Sequence, residues 1–369
     1  LRGTIQRNCL NKEIVFLFTQ LIVLLKMGVL EAVNHQGTFR KGVVVENMSK
    51  KEVGFVTMGK VEEKPQAMTV EEAKFEGIYP AVITPFDQEG EVVFKYLKDV
   101  LHFQLEKGVH GFFVCGSTGE GPLMSIEQRK EVVETVIKEV GSKVPVIVHV
   151  GTINTRETIE LAKHASKVGA TAISLVSPYY FKPDLDELMD HYRLVSKEVT
   201  LPVFAYNIPE MTGFNITPAI FKRLCSIQNV IGIKDSSGNL SQTRAMIETV
   251  PKPVVVINGY DSLFFASLMI GAKAQVSGPA NVAPEPYVEL YELYRKGRYQ
   301  EALDVQTRIN AIIRAIYESP IAGPPIASLK KTLELRGVKA GLPMRPLRPL
   351  KEEEISGLRK RLKALKLFW

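Results

Sequence analysis

The feature that most constrains the fold is an alternation of short apolar segments with segments of helical apolar spacing, from residue 78 to residue 296. Short apolar runs bounded by turn residues are typical of buried strands in a parallel sheet. Eight such strands are predicted: 78–84, 111–115, 144–150, 171–176, 201–206, 230–234, 253–258 and 274–277. Eight successive strand–helix units predict an α/β chain folded as a closed (β/α)8 TIM barrel. An open doubly wound sheet is the alternative, but no G-x-G-x-x-G sequence follows the first strand.

Signals for helix starts lie between the predicted strands, as the alternation requires. Ser125 with Gln128, and Asn154 with Glu157, match the capping box, a residue pair that binds the free backbone N–H groups of a helix's first turn. Thr217 is followed by proline, the order of an N-cap and a first helical residue. The helices are therefore expected to begin shortly after the loops that follow the strands.

Three more helical segments follow the last strand–helix unit: 299–317, 326–336 and 352–367. No strand pattern separates them, so they are expected to pack outside the barrel as additional C-terminal helices. We therefore predict a barrel at residues 76–297 and a helical extension at residues 298–369.

Residues 1–75 differ from the rest of the chain. Their apolar run, 14–25, has about 12 residues, whereas a membrane-spanning helix needs about 20. No clear small-x-small cleavage site follows it, as a signal peptide would require. Because the chain begins with Leu1, four methionines could serve as other starts: Met27, Met48, Met58 and Met68. We predict a leader that is disordered or outside the barrel; extra local structure and a membrane or export role are the alternatives.

The composition excludes several classes of function. The net charge of +7 is spread over interspersed basic and acidic residues, which argues against a nucleic-acid partner, and no membrane partner is predicted. The three cysteines lack metal-site spacing and fit a reducing cytoplasm. The six histidines form neither H-x-x-x-H nor H-E-x-x-H, so no metal site is predicted.

The stretch 230–235, Val-Ile-Gly-Ile-Lys-Asp, ends an apolar strand in a lysine. Strand alternation puts Val230, Gly232 and Lys234 on one face, with the glycine leaving room beside the lysine. Burial lowers the pKa of a lysine, and a neutral amine attacks carbonyl carbons. The alternative is a strand-end lysine whose ammonium group reaches solvent.

Other chemically useful residues follow the strands at the same predicted mouth of the barrel. They are Ser117, Thr118, Tyr179, Tyr180, Tyr206, Asn207, Gly259, Tyr260 and Asp261. An amine with nearby hydroxyls and glycine turns suits Schiff-base chemistry, which needs a proton relay and donors for a substrate carboxylate. Such chemistry needs no cofactor beyond the covalent imine. The alternative for each residue alone is a turn or a hydrogen bond at the core edge.

The motifs 116–120 (GSTGE), 178–180 (PYY), 206–209 (YNIP) and 232–235 (GIKD) identify a resemblance. Residues 77–367 resemble the pyruvate-dependent Schiff-base lyases that include dihydrodipicolinate synthase, N-acetylneuraminate lyase and 2-keto-3-deoxygluconate aldolase. The chain looks most like the 2-keto-3-deoxygluconate aldolases. The resemblance implies a metal-independent class I aldolase, assembled as a homotetramer from two tight dimers.

The resemblance also implies roles for individual residues. Lys234 would form the imine with pyruvate, and Tyr206 would relay protons. Ser117 and Thr118 match the hydroxyl pair that binds the substrate carboxylate. Tyr180 matches a tyrosine that, in the synthases, completes the relay from a neighbouring subunit. The backbone of residue 259, a glycine, would line the same pocket.

Departures from the family pattern bear on the substrate. Dihydrodipicolinate synthases carry an arginine for the second substrate's carboxylate where this chain has Met211, and a methionine cannot replace that bidentate group. Arg193 or Lys182 could substitute from elsewhere. Neuraminate lyases usually have a glutamate where this chain has Ser262, which argues against sialic acid.

Two segments, 149–154 and 258–267, are similar to those of the sugar-acid lyases. Candidates for binding substrate hydroxyls are Asn207, Thr212, Asp261 and Ser277, with loop and cap hydrogen bonding as the alternative. We predict an aldolase that reversibly cleaves a 2-keto-3-deoxy sugar acid into pyruvate and an aldehyde. The alternatives are a dihydrodipicolinate synthase that condenses pyruvate with aspartate semialdehyde, a dehydratase using the same imine, and a non-catalytic barrel that binds a keto acid.

Overall fold

The computed structural model divides the chain into two compact units, Leu1–Ala67 and Met68–Trp369. It describes residues 75–251, 253–318 and 325–365, and in the first unit only four paired strands. Those strands form two antiparallel hairpins, Glu31–Val33 with Phe39–Lys41 and Val43–Asn47 with Glu52–Val56. The apolar run 14–25 and the predicted alternative starts Met27, Met48 and Met58 lie outside the described residues, as does Met68.

Eight parallel strands form one sheet in the second unit. They are β1 Gly77–Pro80, β2 Phe112–Val114, β3 Val146–His149, β4 Ala172–Val176, β5 Val203–Asn207, β6 Val230–Asp235, β7 Val255–Asn258 and β8 Ala274–Ser277. From β2 to β8 each strand pairs with the next in sequence, and β8 also pairs with β1. A parallel bridge between Ala81 and Phe113 joins β1 to β2, so the sheet closes on itself. The predicted (β/α)8 barrel is confirmed.

Six of the eight strands are shorter than their apolar runs predict, whereas β6 extends one residue further, to Asp235, and β8 matches the predicted residues 274–277. The first run reaches residue 84, but β1 ends at Pro80. Beyond the end of β1, Val82 N–H still donates to the Phe113 carbonyl of β2 at 2.9 Å. Similarly, β3 begins at Val146 because Pro145 precedes it and has no N–H to give the ladder. The apolar residues beyond the strand ends are buried as loop residues.

Eleven helices surround and follow the barrel in the described part of the chain. They are α1 Phe94–Glu106, α2 Ile126–Val140, α3 Thr155–Val168, α4 Leu185–Lys197, α5 Pro218–Leu224, α6 Leu240–Thr249, α7 Phe264–Met269, α8 Pro284–Arg295, α9 Tyr299–Tyr317, α10 Ile326–Leu335 and α11 Glu352–Ala364. A helical turn, Pro209–Thr212, lies in the loop after β5. None of the described helices is long and apolar enough to span a membrane.

The helix starts follow the predicted caps with one difference. Ser125 and Gln128 form the complete capping box at the start of α2. Asn154 accepts a hydrogen bond from Glu157 N–H at 2.9 Å, but the reciprocal bond, from Asn154 N–H to the Glu157 carboxylate, is not formed, because that N–H donates to the Thr152 hydroxyl. The Thr217 side chain caps α5 as predicted.

The barrel interior corrects the expectation for Gly232. A Cβ at this position would lie 2.7 Å from the Phe204 ring and 2.1 Å from the Val255 carbonyl oxygen. The glycine therefore makes room for Phe204 and the neighbouring strand, rather than for the lysine two residues later. Phe204 is fully buried and meets Phe75 edge to face, with ring centroids 5.1 Å apart.

The three C-terminal helices α9–α11 pack together over a second apolar cluster that includes Ile312, Ile316, Leu329 and Leu358. The last helix ends at Ala364, three residues before the predicted end at residue 367, which lies outside the described residues. The extension thus covers one side of the barrel and brings α10 next to the loop that follows β2.

Candidate active site

Lys234 lies at the carboxyl end of β6, directly opposite Tyr206 of β5 in the strand register. Its side chain is buried, with 4% of the residue exposed. The Nζ atom lies 3.8 Å from the centroid of the Tyr206 ring and 4.2 Å from that of Phe113. Among the described residues no carboxylate lies within ion-pair distance of this amine. Aromatic faces therefore enclose Lys234 in place of an acidic partner.

The neighbouring Asp235 holds adjacent elements together through hydrogen bonds. Its carboxylate accepts hydrogen bonds from the Asn207 side chain at 3.0 Å and from the Thr243 hydroxyl at 2.7 Å. The Asn207 side chain also donates to Asn215 at 3.0 Å and accepts from Ile216 N–H at 2.8 Å. These bonds tie β5, β6 and α6 together. Asn207, predicted to bind a substrate hydroxyl, instead has its side-chain bonds filled within the protein.

Ser117 and Thr118 lie in a tight loop after β2. Two non-glycine residues of this loop have left-handed backbones, Cys115 with φ 58° and Glu120 with φ 60°. A Cβ at Gly121 would lie 1.9 Å from the Cys115 carbonyl oxygen, so only glycine fits. The loop therefore has one accessible shape, which fixes where the two hydroxyls lie.

A buried ion pair anchors this loop to the C-terminal extension. Lys330 of α10 donates to Glu120 Oε1 at 2.5 Å, to the Thr84 carbonyl at 2.7 Å and to the Leu342 carbonyl at 2.6 Å. The other Glu120 oxygen accepts from Met344 N–H at 2.7 Å. Burial lowers the pKa of Lys330 to about 8, and burial raises the pKa of Glu120, each opposed by the other's charge. Sequence analysis missed this pair, whose members are 210 residues apart.

Gly259 and Asp261 follow β7 near the amine. A Cβ at Gly259 would lie 3.1 Å from Lys234 Cε and 2.0 Å from Ser236 Oγ, so this backbone passes close to the lysine. Asp261 accepts a hydrogen bond from Gln275 at 3.2 Å. Burial raises the pKa of Asp261 to about 6, opposed first by the Ser277 hydroxyl. Gly259, Asp261 and Lys234 are thus brought together as predicted.

Ser277 and Thr212 use their hydroxyls within the protein. Ser277 accepts a hydrogen bond from Ala280 N–H at 2.9 Å. The Thr212 hydroxyl bonds to the Ile208 carbonyl at 3.1 Å and the Phe214 carbonyl at 3.0 Å, closing the helical turn after β5. Thr212 is buried yet lines the cavity at the barrel mouth.

Tyr180 does not point into the site of its own chain. Its side chain is 85% exposed, and its backbone is left-handed with φ 74°. It packs only edge to face on Phe181, which is 80% exposed. The preceding residue, Tyr179, lines the cavity instead.

A cavity of about 270 Å³ opens at the mouth of the barrel. Its walls are mostly apolar and include Val176, Ile208 and Met211. The polar lining residues are Ser117, Glu120, His149, Tyr179 and Thr212. No arginine or lysine is among its described lining residues, and Lys234 lies outside that wall. Arg193 and Lys182, which could replace the arginine that the synthases carry at the position of Met211, lie in different places.

Arg193 pairs with Asp190 on the exposed face of α4 at 2.8 Å and borders a different cavity, with Asn229 and Ile231. Lys182 instead lies against the loop that carries Met211, since a Cβ at Gly213 would lie 3.1 Å from Lys182 Cε. Of the two, only Lys182 is close to where the family's arginine would be.

Sequence analysis noted the segment 149–154 but gave His149 no role, and it missed Arg129. His149 ends β3, is 3% exposed and meets the Tyr206 ring edge to face, with centroids 5.6 Å apart. Arg129 of α2 is buried and donates to the His149 carbonyl at 2.6 Å and the Gly151 carbonyl at 3.1 Å. The likeness of residues 149–154 to the sugar-acid lyases is the one signal that could have pointed to His149, and only the closed barrel brings Arg129 beside it.

The described residues hold no group of three or more histidine, cysteine or carboxylate side chains arranged for a metal. The site is an enclosed amine beside a phenol, a fixed hydroxyl loop and an apolar cavity. Residues 74–365 match the model of the dihydrodipicolinate synthetase family.

The chain belongs to the dihydrodipicolinate synthetase family. It is therefore a pyruvate-dependent class I aldolase, which acts through a Schiff base and needs no metal. The resemblance inferred from the motifs is confirmed at the level of this family. The closer likeness to 2-keto-3-deoxygluconate aldolases stays a prediction.

The chain is similar to the 4-hydroxy-tetrahydrodipicolinate synthase of Archaeoglobus fulgidus, with 40% identical residues over 80% of this chain and 99% of that protein. The synthase of Bacillus subtilis is 34% identical over 76% of this chain and 96% of its own length. Among solved structures, the Escherichia coli prophage protein YagE, in complex with pyruvate, has a TM-score of 0.76 and 34% identity, over 79% of this chain and 99% of YagE. CdNal of Clostridium difficile, in complex with mannosamine, has a TM-score of 0.75 and 28% identity, over 79% of this chain and 99% of CdNal.

Proposed function

We propose that Lys234 is the lysine on which pyruvate forms the imine. The observation that carries this proposal is the buried Lys234 amine on the Tyr206 ring, without an acidic partner among the described residues. Lys234 Nζ attacks the keto carbon of pyruvate, and water leaves as the imine forms. Loss of a methyl proton gives an enamine, whose carbon attacks the aldehyde while the aldehyde oxygen takes up a proton. Water then releases the product and restores the amine.

Tyr206, Ser117 and Thr118 are proposed to support this reaction. Tyr206 moves protons to and from the reacting oxygen, because its ring lies against the amine. The Ser117–Thr118 loop binds the pyruvate carboxylate, which its fixed shape and the nearby glycine turns support. Gly259 leaves the space beside Lys234 that the keto acid needs.

Aspartate semialdehyde is the first candidate for the second substrate, because relatives 34–40% identical to this chain are named 4-hydroxy-tetrahydrodipicolinate synthases. Condensation with pyruvate would extend the keto acid by four carbons, and the semialdehyde amine would then close the ring by displacing Lys234. Lys182, beside Gly213, is the candidate partner for the second carboxylate. As a point charge it would bind this group less tightly than an arginine.

A second candidate reaction is the reversible cleavage of a 2-keto-3-deoxy sugar acid, in which the aldehyde carries hydroxyls and no ammonium group. Met211 on the cavity wall favours it, since it offers no charge for a second carboxylate. Asp261 near Lys234 is the proposed partner for a sugar hydroxyl.

Borohydride reduction in the presence of pyruvate, followed by peptide mass mapping, tests the imine. A pyruvyl adduct on Lys234 is expected; an adduct on another lysine, or none, contradicts the proposal. Turnover of aspartate semialdehyde and of glyceraldehyde with pyruvate then separates the two reactions. A Met211→Arg variant sharpens the comparison, because the added guanidinium should raise turnover of aspartate semialdehyde alone.

We also propose a cytoplasmic homotetramer built from two dimers. The exposed, left-handed Tyr180 supports this assembly, because a tyrosine held outward at the barrel mouth can enter the site of a second copy. Sedimentation of the wild type and of Tyr180→Ala tests it. A monomer with full activity would contradict the assembly.

A further inference from the structure

We propose that His149 selects the second substrate by accepting a hydrogen bond, at Nε2, from a neutral hydroxyl of the aldehyde partner. The inference rests on the proposed pyruvate aldolase activity. Between its two candidate partners, it favours the hydroxyaldehyde.

The hydrogen bonds around His149 determine which ring nitrogen carries the proton. Nδ1 lies 3.2 Å from the Cys115 carbonyl oxygen, which can only accept. Nδ1 is therefore the protonated nitrogen, and Nε2 has a free lone pair. Burial, with the charges of Arg129 and Lys234, holds the pKa of His149 well below its usual value. The ring is thus a neutral acceptor at Nε2 throughout the physiological range.

The Nε2 acceptor is buried and unpaired. No donor in the described part of the chain lies within hydrogen-bond distance of it. It lies 3.0 Å from the position of a Cβ on Gly151, close to Val176, and both His149 and Val176 line the cavity at the barrel mouth. Buried polar atoms are almost always paired. Other described side chains, such as His191, also have an unpaired buried atom, but among them His149 alone lines the cavity, so we assign its partner to the substrate.

The site of His149 also links the cavity to the reacting centre. The ring lines the cavity beside Ser117 and contacts the Tyr206 ring, on which the Lys234 amine lies. A group of the aldehyde that reaches His149 is therefore close to the carbon–carbon bond being made or broken. A hydroxyl near the aldehyde carbon fits this position.

The charges near His149 favour a hydroxyl over an ammonium donor. Arg129 donates to the His149 carbonyl and places a positive charge beside the ring. A cationic substrate amine would be repelled from this position, whereas an uncharged hydroxyl would not. Aspartate semialdehyde carries the first group, and glyceraldehyde carries the second.

Two variants of similar side-chain length test the proposal. His149→Gln keeps an acceptor near the position of Nε2, and His149→Met removes it, while both lose the ring and the Nδ1 donor. The probes are glyceraldehyde and propionaldehyde, which share three carbons and differ in the hydroxyls, each with saturating pyruvate. His149→Met is expected to lower kcat/KM for glyceraldehyde about tenfold or more, and to leave kcat/KM for propionaldehyde within about threefold of wild type. For glyceraldehyde, kcat/KM of His149→Gln is expected to lie between those of wild type and His149→Met.

An equal loss for both aldehydes would overturn the proposal and make His149 a structural residue. No loss for either would also overturn it and assign Nε2 to a bound water. If wild type uses only aspartate semialdehyde, or if His149→Met loses that substrate selectively, the donor is an ammonium group and the hydroxyl assignment is wrong. Borohydride trapping on Lys234 is the separate check, because its failure in wild type would contradict the pyruvate chemistry rather than the role of His149.

The unmodified enzyme provides a second measurement that does not depend on the variants folding. In protein labelled with 15N-histidine, Nε2 of His149 should resonate as an unprotonated nitrogen. It should shift towards the values of a hydrogen-bonded acceptor when pyruvate and glyceraldehyde are added together. The absence of a shift under conditions of turnover, or a protonated Nε2 before addition, would contradict the proposal.

Discussion

Two buried lysines of this protein face opposite surroundings. Lys234, at the end of β6, is 4% exposed, and its amine lies on the rings of Tyr206 and Phe113. Lys330, in α10, is 2% exposed, and its amine has one carboxylate and two carbonyl acceptors within 2.7 Å. Burial is therefore the same in the two regions, and the difference lies in the partners.

The difference in partners suits Lys330 to a structural role and Lys234 to a chemical one. The Lys330 amine donates to three acceptors, so its nitrogen is not available to react. These bonds instead hold the Ser117–Thr118 loop against the C-terminal extension. An amine enclosed by aromatic rings keeps its nitrogen available for a carbonyl carbon. Four predictions test how far this contrast holds.

The largest expected effect is on Lys234. Lys234→Ala should lower the turnover of pyruvate with any aldehyde by at least about ten-thousandfold, because the imine can no longer form. Steady-state kinetics measures the loss, and circular dichroism checks that the variant stays folded. Lys330→Met is the matched control, since it should still give the pyruvyl adduct on Lys234. Activity that persists in Lys234→Ala would refute the imine mechanism.

Removing the partner in the other region should cost stability. Lys330→Ala leaves Glu120 buried without its ion-pair partner, so the free energy of unfolding should fall by about 3–5 kcal/mol. Urea unfolding measures the change. The double variant Glu120→Gln/Lys330→Met removes both charges and should be less destabilised than Lys330→Ala. A double variant that is the less stable of the two would mean that the pair itself is strongly favourable.

Tyr206→Phe keeps the aromatic face under Lys234 and removes the hydroxyl. Because the ring contact remains, the borohydride adduct should still form, while kcat falls about a hundredfold through loss of the proton relay. Rapid quench of adduct formation, compared with steady-state turnover, separates the two effects. If the adduct is lost as well, the hydroxyl is needed for imine formation and not only for the later steps.

The smallest effect is a pH dependence of stability that arises at Lys330. Burial lowers its pKa from 10.5 to about 8, so between these values the unfolded chain binds a proton that the folded protein does not. The free energy of unfolding should therefore gain a contribution that rises with pH from about 8 to about 10.5. Urea titrations of wild type and Lys330→Met across this range measure it as a difference. Parallel curves would place the pKa of Lys330 near its ordinary value.

Much of the fold follows from local patterns. The alternation of apolar runs and helical segments predicted all eight strands and their order, because the two periodicities are properties of neighbouring residues. Lys234 and Tyr206 were predicted at one mouth, since adjacent parallel strands end at the same edge of a barrel. The strand ends were less well predicted, because apolar loop residues are buried as deeply as strand residues.

The surroundings of each side chain could not be predicted in this way. Asn207 was expected to bind substrate, but Asp235, Asn215 and Ile216 fill its hydrogen bonds. Gly232 was expected to leave room for Lys234, but Phe204 takes that space. Both outcomes depend on residues from other strands and loops, whose distance in space the sequence does not give.

The sequence by itself therefore determined the barrel, the family and the strand that carries Lys234, since these depend on local periodicity and on contiguous motifs. Only the tertiary structure decided which buried lysine has acidic and carbonyl partners, and which histidine with an unpaired ring nitrogen lines the cavity. Glu120 meets Lys330 across 210 residues, and the Cys115 carbonyl meets His149 across 34. A buried polar group is defined by the partners that the closed fold supplies or withholds, and these contacts have no local signature in the chain.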